Sequence, residues 1–133
     1  MSRYEKIATE EAPQAIGPYS QAVRTDSMLF LSGQIPLVPQ TGQLCAGGIE
    51  EQAEQVITNI QKVLQAAGCE LDDVVKTTCF LTDMNDFLVF NQAYSKHFTN
   101  KPARSCVEVS ALPKGALVEV EAIAFLPISK EGS

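Results

Sequence analysis

The chain has 133 residues, 45% of them hydrophobic and 20% charged, which is the length and make-up of one globular domain and excludes a disordered, collagen-like or coiled-coil chain. Ten Lys and Arg against sixteen Asp and Glu leave a formal net charge of −6, so the average surface repels a polyanion and a nucleic-acid module is disfavoured. No apolar run approaches the roughly 20 residues that cross a bilayer, and the opening MSRYEKIATEEAPQ has no apolar signal core. The expectation is one soluble, cytoplasmic domain over residues 1–133, with no membrane association.

In chain order, Lys6 to Ala8 reads as a short edge strand, followed by the loop APQAIGPYS. Gln21 to Arg24 and Met28 to Gln34 form a hairpin around Thr25-Asp26-Ser27. Ile35 to Gly48 is a long connection punctuated by Pro36, Pro39, Gly42 and the Gly47-Gly48 pair. A first helix is marked by Ile49, Ala53, Val56, Ile57, Ile60, Val63, Leu64 and Ala67, one apolar stripe at spacings of three and four. Glu50 and Glu51 suit its positive end and Gly68 its termination. The β-branched run Val74 to Leu81 is a strand. Asp83 or Asn85 caps a second helix over about Asp86 to Phe98, with Phe87, Phe90, Tyr94 and Phe98 along one side and Pro102 beyond it. Ser105 to Val109 and Leu117 to Phe125 are two further strands, joined by a turn at Leu112-Pro113-Lys114-Gly115.

The order β-β-β-α-β-α-β-β sets two one-sided helices against about six strands, an α+β domain with both helices on one face of a mixed sheet. The other face then needs separate cover. Alternation along the last strand puts Val118, Val120, Ala122 and Ala124 on one side, and Glu119, Glu121, Ile123 and Phe125 on the other. Two carboxylates beside two large apolar groups suit a subunit interface with the glutamates at a cleft.

Cys45, Cys69, Cys79 and Cys106 stand 24, 10 and 27 residues apart with no CxxC. That is neither a zinc pattern nor a secreted disulfide framework, so the thiols are expected to be reduced and mostly buried. His97, the single histidine, reads as a surface residue late in a helix. With one His and no thiol paired to it, Ser-His-Asp and Cys-His chemistry is set aside.

Four features stand out: Gly17-Pro18-Tyr19-Ser20, Leu31-Ser32-Gly33-Gln34 at a strand end, Asn91 in the second helix, and Pro102-Ala103-Arg104-Ser105-Cys106 opening a strand. Each alone has a plain reading as a turn, a bulge, a solvated amide or a snorkelling cation, with Glu119 as the ion-pair partner of Arg104. As a set, the stretches AIGPYSQAV, LSGQIPLVPQTG, QAAG, VVKTTCFLTDMNDF and PARSCVEVSALPKG before VEVEAIA resemble the RidA (YjgF) family of reactive-intermediate deaminases, the 2-iminobutanoate/2-iminopropanoate deaminases. The resemblance runs from Ala12-Pro13 to Ala124.

That resemblance implies a fold similar to one class of chorismate mutases, assembled as a homotrimer. Its sheets form an inner barrel, the helices lie outside, and the sites occupy clefts between subunits. It puts a substrate-carboxylate arginine on Arg104 and a water-handling glutamate on Glu119, with Tyr19, Ser32, Gly33, Asn91 and the backbone of Cys106 lining the pocket. The implied substrates are small 2-imino acids or their enamine tautomers, with no metal or organic cofactor. The stretch from Thr99 to Lys101 is short beside many relatives, which leaves the entry of the Arg104 strand open. Two other classes stay in play, an RNA-directed activity (ribonuclease or translation inhibitor) and a non-catalytic ligand-binding or regulatory module.

Overall fold

A computed structural model describes residues 4–127. Strands β1 (Glu5–Ile7), β2 (Ala22–Arg24), β3 (Met28–Gln34), β4 (Leu37–Val38) and β5 (Gln43–Leu44) come first, followed by helix α1 (Ile49–Ala66). Then follow β6 (Val74–Leu81), α2 (Phe87–His97), β7 (Ala103–Glu108) and β8 (Val118–Phe125). Six strands form one sheet in the order β1-β2-β3-β8-β6-β7, and β4 pairs with β5 separately. Only β6 and β7 run parallel within that sheet, joined by the crossover through α2. This is the expected α+β arrangement, with the predicted elements in place to within a few residues.

The core lies between the helices and one sheet face. From α1 come Ala53, Val56, Ile57, Ile60, Val63 and Leu64, all nearly inaccessible, and from α2 Phe90, Ala93 and Tyr94. They cover Leu29 and Leu31 of β3, Cys79 and Leu81 of β6, and the Val118/Val120/Ala122/Ala124 row of β8. Each fully buried aliphatic or aromatic side chain contributes roughly 1.5–3 kcal/mol, so this single layer carries the domain. Helix α1 opens with Glu51 accepting from the Gly48 amide at 2.8 Å. It ends where Gly68 takes φ +79° and Cys69 N–H donates to the Leu64 carbonyl at 2.8 Å, the left-handed termination that favours glycine.

The stretch from Ile35 to Gly48 is more ordered than an irregular connection. Its β4–β5 hairpin turns through Gly42, and Asn59, fully buried on α1, donates to the carbonyls of Ile35 and Leu37 at 3.1 and 3.0 Å. Gln52 accepts from the Leu117 amide at 2.8 Å. Buried amides on an otherwise apolar stripe thus satisfy backbone groups that would cost roughly 1–3 kcal/mol each if orphaned.

Three expectations need correction. His97 is not a free surface residue: its Nε2 lies 2.8 Å from Glu54 Oε1, while Lys96 Nζ lies 2.8 Å from Glu54 Oε2. The last turn of α2 is thereby tied to α1. Burial alone would push the Glu54 carboxyl up, but these two partners outweigh it and hold it below the usual range. All four thiols are free, Cys69 and Cys79 are buried, and Cys45 and Cys106 are only partly so. Finally, β7 begins at Ala103 rather than Ser105, because Lys76 pairs with Ala103 as soon as Pro102, which lacks an N–H, is passed. The short Thr99–Lys101 connection is managed by Lys101 at φ +54° and by the Asn100 amide, which donates to the Asp72 and Val74 carbonyls. Arg104 therefore sits inside the parallel ladder, with Thr77 as its register partner.

Candidate active site

The face away from the helices presents Phe30, Val107 and Phe125 at 44%, 44% and 54% exposure, with Glu119 and Glu121 on the same side of β8 as Phe125. Here β3 carries one extra residue against β8: Leu31 faces Ala122, but Gln34 faces Val120. That bulge falls on Ser32-Gly33 and bends the strand beside Glu119, a common device where a site needs a side chain re-aimed. Gly33 matters for space rather than for its dihedral angle. A Cβ there would stand 2.8 Å from Glu119 Cδ and closer still to one carboxylate oxygen, so the carboxylate lies against bare backbone.

The loop before β2 completes this half. Gln21, 4% exposed, accepts from the Thr9 amide at 2.6 Å and donates to the Pro13 carbonyl at 2.7 Å. It folds the chain back so that Tyr19 overhangs the bulge. Ser32 Oγ donates to the Ser20 carbonyl at 2.6 Å, and Ser32 N–H donates to the Gln21 carbonyl at 3.0 Å. The result is an open cavity of about 420 Å³ bordered by Ile16, Tyr19, Ser32, Gly33, Glu119 and Glu121. Burial first, and then the neighbouring Glu121 carboxylate, raise Glu119 above the ordinary carboxylate range. A carboxyl poised this way takes a proton more readily than a free one, which suits a general base.

Arg104 is elsewhere. It lies on β7, on the helix side of the sheet with Cys106, whose register partner is buried Cys79. Its Nη1 donates to Asn91 Oδ1 at 2.8 Å, and its guanidinium carbon stands 4.8 Å over the Tyr94 ring and 5.6 Å from that of Phe87. No ion pair joins Arg104 to Glu119; the expectation of one fails because strand β6 separates them and they project to opposite faces. The Cys79 thiol is pushed up to about 12, mainly by burial, and burial also raises Cys106 against the pull of Arg104. Neither is a ready nucleophile.

The predicted residues thus fall into two groups. Tyr19, Ser32, Gly33 and Glu119 share one cavity, while Arg104, Asn91 and Cys106 share the other side of the sheet. Glu121 borders the cavity, in keeping with the reading of both glutamates at a cleft, whereas sequence reasoning did not single out Gln21 as the loop's anchor or Tyr94 beneath Arg104. Only spacing hinted at Tyr94, three residues after Asn91 on a helix. No cluster of three His, Cys, Asp or Glu suited to a metal ion occurs among the described residues, and no described helix is long and apolar enough to cross a membrane.

A family model described as Endoribonuclease L-PSP matches residues 9–126. A RutC family protein of Pyrococcus horikoshii is 52% identical over 122 residues, covering 91% of this chain and 97% of its own. The human 2-iminobutanoate/2-iminopropanoate deaminase is 50% identical over 120 residues, covering 90% of this chain and 88% of its own. Among solved structures, E. coli TdcF with bound serine superposes with a TM-score of 0.87 at 44% identity, covering 92% of this chain and 99% of that one.

Proposed function

The chain belongs to the Endoribonuclease L-PSP family, the RidA (YjgF) proteins, and we propose that it hydrolyses small 2-imino acids to 2-oxo acids and ammonia at sites built between copies of itself in a homotrimer. One observation carries this reading. The arginine suited to a carboxylate and the carboxylate suited to water lie on opposite faces of one sheet, so a single chain cannot bring both to one substrate. Each half is also open where the other would fit: the Glu119 cavity faces outward on a partly apolar surface, and Arg104 stands on the edge strand. The mammalian deaminases at about half identity support the same chemistry.

The residues then divide the work. Arg104 of one subunit takes the substrate carboxylate through its planar fork, with Asn91 holding Nη1 and the β7 backbone at Cys106 alongside. Tyr19, Ser32 and the Gly33 backbone of the neighbour orient the imine. Glu119 accepts a proton from water as the water oxygen bonds to the imine carbon, giving a tetrahedral carbinolamine. It then returns that proton to nitrogen, the C–N bond breaks with its electron pair leaving on ammonia, and Glu119 takes the hydroxyl proton as the carbonyl of the 2-oxo acid forms, passing it on to the departing ammonia. An iminium is already electrophilic, so this sequence asks for no organic cofactor or metal. Coupling the protein to a threonine dehydratase and following decay of the imine signal tests the activity itself, and unchanged decay would overturn the reading. Cleavage of a labelled RNA without any imine effect would instead favour the endoribonuclease reading in the family's description, against which the net charge of −6 weighs.

The shared site has a sharp consequence. Arg104→Ala and Glu119→Gln chains, each strongly impaired alone, are expected to recover activity when unfolded together and refolded as mixed trimers. Random mixing gives each site an intact arginine half the time and an intact glutamate half the time, so up to about one site in four is restored. No recovery in mixtures that light scattering shows to be exchanged trimers would place both residues in one chain's site.

Gly33→Ala is expected to fold with near wild-type thermal stability and yet lose most turnover. The added methyl meets the end of a flexible side chain, which swings aside cheaply but takes the carboxylate with it. Thermal melts beside steady-state rates check this, and full turnover in a stable variant would show that the carboxylate's resting place is unimportant.

A further inference from the structure

Arg104 lies on an edge strand, where a long cationic side chain ordinarily samples many rotamers. Here its surroundings confine it. Its register partner on β6 is Thr77, whose hydroxyl is bonded to Tyr94 Oη at 2.7 Å, and the Tyr94 ring lies 4.8 Å beneath the guanidinium carbon. Thr77, Tyr94 and Arg104 therefore close a loop of contacts that ties strand, helix and cation together. The ring cannot follow the guanidinium if it strays: it is stacked on Phe98 at 4.5 Å between centroids and tilted against Phe90 at 5.7 Å, with only 7% of the residue exposed. Asn91 meanwhile engages Nη1, and the other guanidinium N–H groups of Arg104 have no hydrogen-bond partner among the described residues. One face of the fork rests on an immobile ring, one corner is pinned, and the rest is left for a ligand.

We propose that Tyr94 is a positioning residue, whose ring sets the plane of the Arg104 fork before a carboxylate arrives. This rests on the reading of Arg104 as the carboxylate clamp and adds what aims it. A fork already held in plane loses less side-chain freedom on binding than a free one, and the saving appears as affinity. The ring, rather than the hydroxyl, is the active part. The hydroxyl's bond to Thr77 satisfies two buried polar groups and anchors the ring to the strand beside the one that carries the arginine.

Tyr94→Phe and Tyr94→Leu separate these roles. Both lose the hydroxyl and both leave Thr77 without that partner, so the stability lost with the bond is common to them and only the ring differs. The readouts are calorimetric titration with 2-oxobutanoate, steady-state KM and kcat, and thermal melts. Tyr94→Phe is expected to bind within about twofold of wild type, whereas Tyr94→Leu binds roughly tenfold more weakly, with KM raised alike and kcat little changed. Tyr94→Met, flexible enough to fill the same space, replaces the leucine variant if that chain does not fold. If Phe and Leu (or Met) bind alike, and both differ from wild type only in melting temperature, Tyr94 is a core residue and the proposal fails. Arg104→Ala keeps the two levels apart. Wild-type affinity in Arg104→Ala would sink the carboxylate clamp itself, while lost affinity there with full affinity in Tyr94→Leu would sink the positioning role alone.

Discussion

Arg104→Lys is expected to bind a 2-oxo acid nearly as weakly as Arg104→Ala. The carboxylate is present before, during and after the chemical step, so the loss falls on binding and reaches kcat/KM through KM. A guanidinium offers two parallel N–H donors to the two carboxylate oxygens, and each charge-assisted bond contributes roughly 1.5–3 kcal/mol. Losing one of the pair weakens affinity by about 10- to 150-fold. A lysine ammonium is a compact, strongly hydrated charge without a flat face, so it forfeits the stack on Tyr94 and the geometry of the Asn91 bond. Retaining the charge is therefore not enough. Calorimetric titration of wild type, Arg104→Lys and Arg104→Ala decides the matter: a lysine variant that binds and turns over like wild type makes the clamp a point-charge effect and overturns the bidentate reading.

The contrast between what could be read from residues and what required coordinates is sharpest at these same two side chains. Alternation along Val118 to Phe125 correctly separated the core row from the Glu119 row, because a period of two fixes parity within one strand. It says nothing about which face of the sheet another strand turns the same way. Arg104 is placed on the helix side only through three facts no local pattern holds: β7 lies parallel to β6, β6 separates it from β8, and the pairing aligns Arg104 with Thr77. An ion pair between Arg104 and Glu119 was thus a fair expectation from charge alone and a wrong one in space. The Ser32-Gly33 bulge was similarly ambiguous, since a serine-glycine step reads as turn or bulge until the partner strand's register is known. Helix α1 was legible because its apolar stripe needs no partner to be recognised. Asn59 and Gln52 on the same helix were not, because their value lies in carbonyl and amide groups that the fold brings from far along the chain. The motif words around Tyr19, Ser32, Arg104 and Glu119 named residues that the fold gathers at a cavity on one side and around a held guanidinium on the other. They did not say that those residues divide between two faces of the sheet.

Glu119→Gln is expected to leave 2-oxo acid binding largely intact while lowering kcat by roughly 10²-fold or more, the usual scale for removing a positioned general base. Glutamine is nearly isosteric, so Gly33 still accommodates it and the cavity keeps its shape, but it cannot accept the proton that water sheds. The pH profile supplies a second, independent reading. Burial and the adjacent Glu121 carboxylate raise Glu119, so its working anionic form disappears at a pH above that at which an ordinary glutamate would protonate. The acid limb of kcat/KM should accordingly fall off at a higher pH than an ordinary glutamate, about 4.3, would dictate. Glu121→Gln removes the like charge while leaving Glu119 in place, which lowers the Glu119 value and moves that limb toward lower pH. The sign is fixed: taking away a neighbouring negative charge makes the second carboxylate easier to ionise. A Glu121→Gln limb that stays put would assign the raised value to burial alone, whereas a limb that survives unchanged in the residual activity of Glu119→Gln would show that another group takes the proton from water.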